Sequence, residues 1–283
     1  MTEHQILKKE VYSEDIKKFI LYEPDITLRC KPGEFVIIRA RDYSERIPLT
    51  IADFDRDKKT ITIIFQEVGK STKELGQFKE GDVIEDVIGP LGKATHIEKY
   101  GKVVCIGGGI GVAPVYPIAK GLKVAGNKLF SIIGARSKNL LIMEPEMKGI
   151  SDELIITTDD GSYGEKGFVT DALKKLVDRG EKLDLCVAIG PVIMMKNVVK
   201  VAKGFGIKTI VSLNPIMVDG TGMCGACRVT VGGKTKFACV DGPDFDGAEV
   251  DFDELMKRQR IYTEEEKEAM VEYDKKLNKS LKK

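Results

Sequence analysis

Two textures of hydrophobic patterning divide the chain. Up to about residue 97, apolar positions fall in short runs rich in β-branched residues: FVIIRA, IPLTIAD, TITIIFQEV and DVIEDVIGP. No long helical period crosses them, and Pro-Gly, Asp-Arg-Asp-Lys and Glu-Gly-Asp clusters punctuate them as turns. Short strands at near-regular spacing predict a small antiparallel barrel. From Lys102 strands alternate with helices: KVVCIGGG, a helix to about 125, KLFSIIGARS, ELIITTDDG, a helix near 169–179, LCVAIGP, a helix near 194–205, and KTIVSLNP. That alternation predicts a mostly parallel sheet covered on both faces. The expected organisation is therefore a barrel over 1–97, an α/β domain over 98–213, and a small cysteine-loop region with a helical tail over 214–283.

The tail is highly charged. Thr263, with Glu266 three residues later, fits a capping box. Met270, Tyr273, Leu277 and Leu281 then form one narrow apolar stripe at helical spacing. Such a helix is expected to pack on its own domain, with docking on a partner as the sharper alternative.

Composition narrows the class. A length of 283 residues allows two domains with real cores, and 42% hydrophobic with 31% charged residues describes a soluble globular chain. No apolar run approaches the ~20 residues of a membrane span, and the first residues lack the apolar core of a signal peptide. A cytoplasmic location is the default expectation. A net charge of +1 gives no general attraction to nucleic acid or acidic membranes. Trp is absent while Lys and Glu are abundant, a balance common in heat-adapted proteins. Six cysteines could form three disulfides, but Cys30, Cys105 and Cys186 are far apart and two of them lie in apolar runs. Buried free thiols are the expected state.

The remaining cysteines carry chemistry. Residues 218–239 read VDGTGMCGACRVTVGGKTKFAC, with Cys224 and Cys227 at C-x-x-C spacing and Cys239 after a β-like run and a Gly232-Gly233 turn. Three thiolates are one ligand short for either zinc or an iron–sulfur cluster. Where a plant-type C-x4-C-x2-C pattern would have its first cysteine stands Asp219. A second signal is the set of glycine-containing strand ends: Gly107–Gly111, Gly134-Ala135-Arg136, Asp159-Asp160-Gly161 and Gly190-Pro191. Ligands bind beyond such carboxyl ends, and the 107–111 stretch runs straight into a helix that can hold a pyrophosphate. Its G-x-G-x-G spacing is not the G-x-G-x-x-G fingerprint of standard Rossmann dehydrogenases. Gly69-Lys70-Ser71-Thr72 can present amides and hydroxyls to a phosphate, but position 64 is Ile where Walker A needs glycine. Taken alone it reads as a polar hairpin loop. His4 and His96 are isolated, and no acid–base or nucleophilic constellation is visible.

The barrel, GGGIGVAP, GARS, DDGSYG, GP and the C-terminal cysteine loop together resemble the ferredoxin–NADP reductase superfamily, over nearly the whole chain. Within it the chain is similar to iron–sulfur flavoprotein subunits. These include the electron-transfer subunit of dihydroorotate dehydrogenase B and the small subunit of NADH-dependent ferredoxin:NADP oxidoreductase. The resemblance implies FAD, with Pro48, Leu49 and Thr50 matching the last three positions of the flavin motif R-P-[IL]-[ST]. The motif's arginine position falls on Ile47. Arg46, one residue earlier, would reach the diphosphate only through a bulge, because strand side chains alternate between faces. Ile64, Phe65 and Gln66 match the segment along the flavin, and Ser71 and Thr72 the phosphate loop. The nicotinamide nucleotide is expected across Gly108, Gly109, Ile110, Gly111 and Pro114. Gly134, Ala135, Arg136 and Asp159 would lie toward the adenosine, and Gly190 and Pro191 toward the nicotinamide. Relatives with the GARS phrase use NAD(H), although Arg136-Ser137 also suits the 2′-phosphate of NADP(H). The resemblance further implies a [2Fe–2S] cluster on Asp219, Cys224, Cys227 and Cys239. It implies a larger flavin and iron–sulfur partner subunit in a heterodimer or higher assembly, with ferredoxin served through that partner. A dihydroorotate dehydrogenase subunit is the nearer alternative, and a nucleotide-binding protein with a structural zinc site the alternative of another class.

Overall fold

The computed structural model describes residues 1–280, with side chains through residue 275, so Leu277 and Leu281 of the predicted stripe lie outside the described side chains. Two antiparallel sheets wrap the first core. One has the strand order Ile6–Val11, Ile16–Tyr22, Thr60–Gln66, Asp53–Asp55; the other has Arg46–Thr50, Phe35–Arg39, Asp86–Leu91. Strand alternation sends Phe19, Leu21, Ile61, Ile63 and Phe65 inward, where they meet Val36, Ile38 and Ile84. Phe19 and Phe65 meet edge to face, with centroids 5.1 Å apart and planes at 83°. Such a pair contributes about 0.5–1.5 kcal/mol beyond its buried area. The Gly-Lys-Ser-Thr phrase is not a hairpin loop but opens a short helix, Lys70–Gly76. Lys9 holds that helix's far end, its Nζ donating to the Gly76 carbonyl at 2.6 Å and the Phe78 carbonyl at 2.8 Å.

The second unit is a seven-stranded sheet ordered Glu165–Lys166, Glu153–Thr158, Lys128–Ala135, Lys102–Gly108, Leu185–Ile189, Lys208–Ser212, Asp244–Asp246. Every adjacent pair is parallel except the last. Helices Val169–Asp178 and Val192–Gly204 cover one face, and Val112–Val124 with Glu144–Ile150 covers the other. The chain leaves Lys102–Gly108 toward one edge and later returns as Leu185–Ile189 to build toward the other. The topological switch point therefore lies between these two strands, where such sheets bind ligands. Ile16, Ala52 and Ile64 join the core under Val112–Val124, which welds the barrel to that face.

The C-terminal region is less separate than its composition implies. Its hairpin, Arg228–Val231 with Lys234–Phe237, turns at Gly232-Gly233 as expected. The strand Asp244–Asp246, which no sequence signal announced, closes the edge of the large sheet. Val229, Phe252 and Leu255 share a core with Val211 and Ala202. All six cysteines are free, with Cys30, Cys105 and Cys186 buried. Burial pushes the Cys186 thiol up to about 12, so it stays protonated and inert. Thr263 does begin the last helix, Thr263–Ser280, but its hydroxyl donates to the Arg260 carbonyl at 2.9 Å, so the capping box does not form. Among the described residues no helix is long and apolar enough to cross a membrane.

One half-buried pair makes the barrel's stability depend on pH. The His4 Nδ1 lies 2.9 Å from Oε1 of Glu23, a buried carboxylate. The hydrogen bond to Glu23 raises His4 above its ordinary 6.5. Burial raises Glu23 as well. Both shifts favour the proton-bound fold, so His4's contribution is fully present below pH 6.5 and is lost as pH rises through its raised value. Thermal melts of the chain and of His4→Ala should differ most below pH 6.5 and converge as pH rises through the raised value of His4; a gap independent of pH would refute the assignment.

Candidate functional site: a glycine-edged crevice and a cysteine loop

At the switch point, Lys102–Gly108 runs through the turn Gly109–Gly111 into the helix Val112–Val124. The glycines there have different reasons. A Cβ on Gly108 would stand 2.2 Å from Met194 Sδ, and one on Gly111 would stand 2.3 Å from the Ile189 carbonyl oxygen. These two glycines let neighbouring strand ends touch. Gly109 is different: its φ is +55° and a Cβ would meet nothing within 4 Å, so its backbone faces open space. Ile110 packs on the helix core and Pro114 is half-buried in the helix's first turn. Gly190 and Pro191 close the crevice from the next strand, with a Gly190 Cβ position 3.1 Å from the Gly108 carbonyl oxygen.

Further along the same edge, Gly134 lies against Val169, where a Cβ would come within 2.4 Å of Cγ1. Ala135 and Arg136 are tied to the neighbouring strand end: the Asp159 amide donates to Ala135 and the Asp160 amide to Arg136. Arg136 and Asp159 are both exposed, side by side. A guanidinium and a carboxylate thus border the same patch of strand ends.

The barrel brings a second set to the crevice. Arg46–Thr50 pairs with Phe35–Arg39 over five residues with no register shift. Ile47 and Leu49 pack toward the barrel core, so Arg46, Pro48 and Thr50 share the opposite face. The bulge that would bring Arg46 onto the face of Ile47 is absent. Thr60–Gln66 lies against both Arg46–Thr50 and the Gly109–Gly111 turn. Ile64 points into the α/β core, Phe65 points into the barrel core, and Gln66 is half-buried. Phe65 therefore offers a ligand only its backbone. In the short helix, Thr72 Oγ1 accepts from the Val68 and Gly69 amides, each at 3.1 Å, which commits that hydroxyl to the helix cap. Ser71 donates to Glu45 at 2.7 Å and Ser44 donates to Glu74 at 3.0 Å, so the segment before Arg46 is stitched to this helix. Gly69, at the helix start, faces open space.

The cysteine loop packs on the outer face of Phe35–Arg39, the face that Phe35 and Ile37 share with their pairing partners Thr50 and Pro48. Phe35 and Ile37 form one core with Met217, Cys227, Ala238 and Cys239. Gly220, with φ +73°, presses so closely that a Cβ would stand 2.8 Å from both Ile37 and Leu91. The Cys227 and Cys239 sulfurs are 3.1 Å apart, side by side in one buried site. The Cys239 amide points at the Cys227 sulfur, 3.5 Å away. Asp219 accepts from the Thr221 amide on Oδ1 and from the Cys224 amide on Oδ2, each at 2.8 Å. These bonds, that from Thr221 foremost, hold its carboxyl below the usual range and keep it ionised. Each oxygen retains a lone pair for a metal. Among the described residues no three His, Cys, Asp or Glu side chains converge on one point. Instead the donors stand as two pairs, Asp219 beside Cys224 and Cys227 beside Cys239.

A hollow of about 710 Å³ lies on the outer face of the four-stranded sheet, lined by Leu7, Ile20, Tyr22 and Phe54, and it shares no residue with these sites.

Known proteins resemble this chain over nearly its whole length. Residues 214–251 match the iron–sulfur cluster binding domain of dihydroorotate dehydrogenase B. A Thermotoga maritima protein named as a homologue of the dihydroorotate dehydrogenase B (NAD(+)) electron transfer subunit is 54% identical over 93% of each chain. The electron transfer subunit of Clostridium acetobutylicum is 35% identical, over 78% of this chain and 86% of that protein. A solved chain of an NADH-dependent reduced ferredoxin–NADP oxidoreductase, studied for flavin-based electron bifurcation, superposes with a TM-score of 0.92. It is 52% identical and covers 96% of this chain and 98% of its own.

The seating of the cysteine loop is directly testable. Gly220→Ala meets both a left-handed backbone, about 1–2 kcal/mol for an L-residue, and the walls of Ile37 and Leu91. Gly233→Ala meets the backbone term alone, since its φ is +70° in open space. Denaturant unfolding should show Gly220→Ala to be the more destabilised by at least about 1 kcal/mol; equal losses would mean the loop is not seated as described.

Proposed function

The chain belongs to the family of dihydroorotate dehydrogenase B electron-transfer subunits and their homologues, and from that premise we propose that it relays electrons between NAD(H), FAD and a [2Fe–2S] cluster for a larger partner subunit. One observation carries the reading. The strand Phe35–Arg39 has the flavin-motif strand Arg46–Thr50 paired along one side, while Phe35 and Ile37 pack directly on Cys227 and Cys239. The glycine crevice reaches the same flavin strand through Thr60–Gln66. Donor and acceptor sites thus adjoin a single structural element.

When bound, FAD supplies the conversion between a two-electron hydride and single electrons that a nicotinamide and an iron–sulfur cluster cannot make between themselves. Thr50, with Pro48 and Leu49 beside it, is the residue for the flavin's reactive edge, and Ile64 and Gln66 line the strand behind it. The backbone at Gly69, with Ser71, serves the diphosphate; Thr72 acts by fixing that turn. Arg46 is exposed on the Thr50 face and adds positive charge to the same border. The open Gly109 amide and its neighbours Gly108, Ile110, Gly111 and Pro114 hold the nucleotide's pyrophosphate, while Gly190 and Pro191 set the nicotinamide slot. Ala135, Arg136 and Asp159 border the adenosine ribose. The exposed Asp159 repels a 2′-phosphate, which favours NAD(H) over NADP(H). A domain division of 1–97, 98–213 and 214–283 matches this sequence of duties, in a cytoplasmic protein.

Asp219 with Cys224, and Cys227 with Cys239, would hold a [2Fe–2S] cluster as two ligand pairs, and the cluster would supply a one-electron carrier there. A structural zinc would need all four on one ion. The solved relative acts with ferredoxin and NADP, and this supports a partner subunit of that type over one that oxidises dihydroorotate.

Purified anaerobically, the protein should show flavin absorption with a red-brown iron–sulfur shoulder and bleach on NADH addition. A colourless, zinc-containing protein would end the relay reading. Asp219→Cys should keep the cluster and lower its midpoint potential, because thiolate donates more electron density than carboxylate. Asp219→Ala should lose cluster; unchanged iron content and potential in that variant would remove Asp219 from the ligand set.

A further inference from the structure

The Thr263–Ser280 helix has no part in the relay as described. Most of its described surface is charged and exposed, including Glu264, Glu265, Glu266 and Glu268. Among its described residues, only Ala269, Met270 and Tyr273 beyond the first are drawn in, all within about one turn. The helix lies against Lys70–Gly76, the short helix whose first turn is assigned to the flavin diphosphate. The Tyr273 hydroxyl is buried there and has no hydrogen-bond partner among the described residues. Burial, followed by the nearby carboxylates of Glu74 and Glu67, makes that phenol harder to ionise.

The short helix depends on such support. At seven residues it is far below the length at which helices persist unaided. From inside, Lys9 caps its end, and Gly76 rests on Glu67, whose Oε1 is 2.0 Å from where a Cβ would stand. Ser44 and Ser71 tie it on a second side. Its open side at Gly69 is the one offered to ligand. Leu75 anchors it in the barrel core, and the C-terminal helix covers a further side.

We propose that this helix is a brace for the flavin-phosphate helix, with Tyr273 and Met270 as positioning residues that hold Lys70–Gly76 in its ligand-ready place. The inference rests on the FAD reading above. Because the Tyr273 hydroxyl has no hydrogen-bond partner among the described residues, the ring and not the hydroxyl does the bracing.

The test uses full-length chain and three variants, reading the FAD dissociation constant by fluorescence and iron content as an internal control. Tyr273→Ala should weaken FAD binding about tenfold, equivalent to about 1.4 kcal/mol. Tyr273→Phe should stay within about twofold of the unaltered chain. Met270→Ala, a milder cut on the same face, should weaken FAD in the same direction and reports on the brace if Tyr273→Ala does not fold. Iron content should not change in any of them. FAD binding unaltered in both alanine variants, or a Tyr273→Phe chain as weak as Tyr273→Ala, overturns the brace. Parallel loss of iron and FAD also overturns it, since that marks general unfolding. An unaltered chain that takes up no FAD sinks the flavin reading itself, and the brace falls with it.

Discussion

The packing of Phe35 and Ile37 against Cys227, Ala238 and Cys239 is the contact on which the rest of the structure depends. It is a small apolar junction, but three parts of the chain meet there: barrel, large sheet and cysteine loop. Loops rich in glycine lose much conformational entropy on ordering. This one is fixed because its apolar residues are buried in someone else's core, and because Gly220 lets the backbone lie flat on Ile37 and Leu91. A cysteine loop that hung free would present the same four donors without a defined neighbour for electrons.

Much of this was legible in the pattern of residues. The barrel's β-branched runs, the alternating second unit and the Gly232-Gly233 hairpin each carry a local signal that tertiary packing reinforces. What escaped was set by contacts distant in sequence. Asp244-Phe245-Asp246 has no strand propensity of note, and it becomes a strand because Lys208–Ser212 offers an unpaired edge. Gly69 to Thr72 reads as a loop, and the helix there forms because Lys9, sixty residues upstream, binds its last carbonyls.

Site residues divide in the same way. Spacing identified Asp219 and the three cysteines as one group, and the fold sets them in two pairs within one loop. The glycine-rich strand ends were equally visible, yet their individual reasons were not. Gly108, Gly111 and Gly134 are glycine because another residue occupies the space of a side chain, whereas Gly109 is glycine because its turn is left-handed and open. A motif alone does not separate close packing from ligand approach. Arg46 and Phe65 show the converse limit, since the motif names positions while the strand's alternation decides which way each side chain turns.

The short strands at the two margins of the seven-stranded sheet have a bearing on assembly. One margin is Glu165–Lys166, only two charged residues long; the other is Asp244–Asp246, with an aspartate at each end. Exposed strand edges invite another chain to add itself by backbone pairing, and short charged edges deter it. A second subunit has no long ribbon to extend at either margin of this sheet. Assembly at these two margins must then be read through side chains and surface shape, which leaves recognition of a partner there open to tuning residue by residue while sheet-to-sheet growth along this sheet is discouraged.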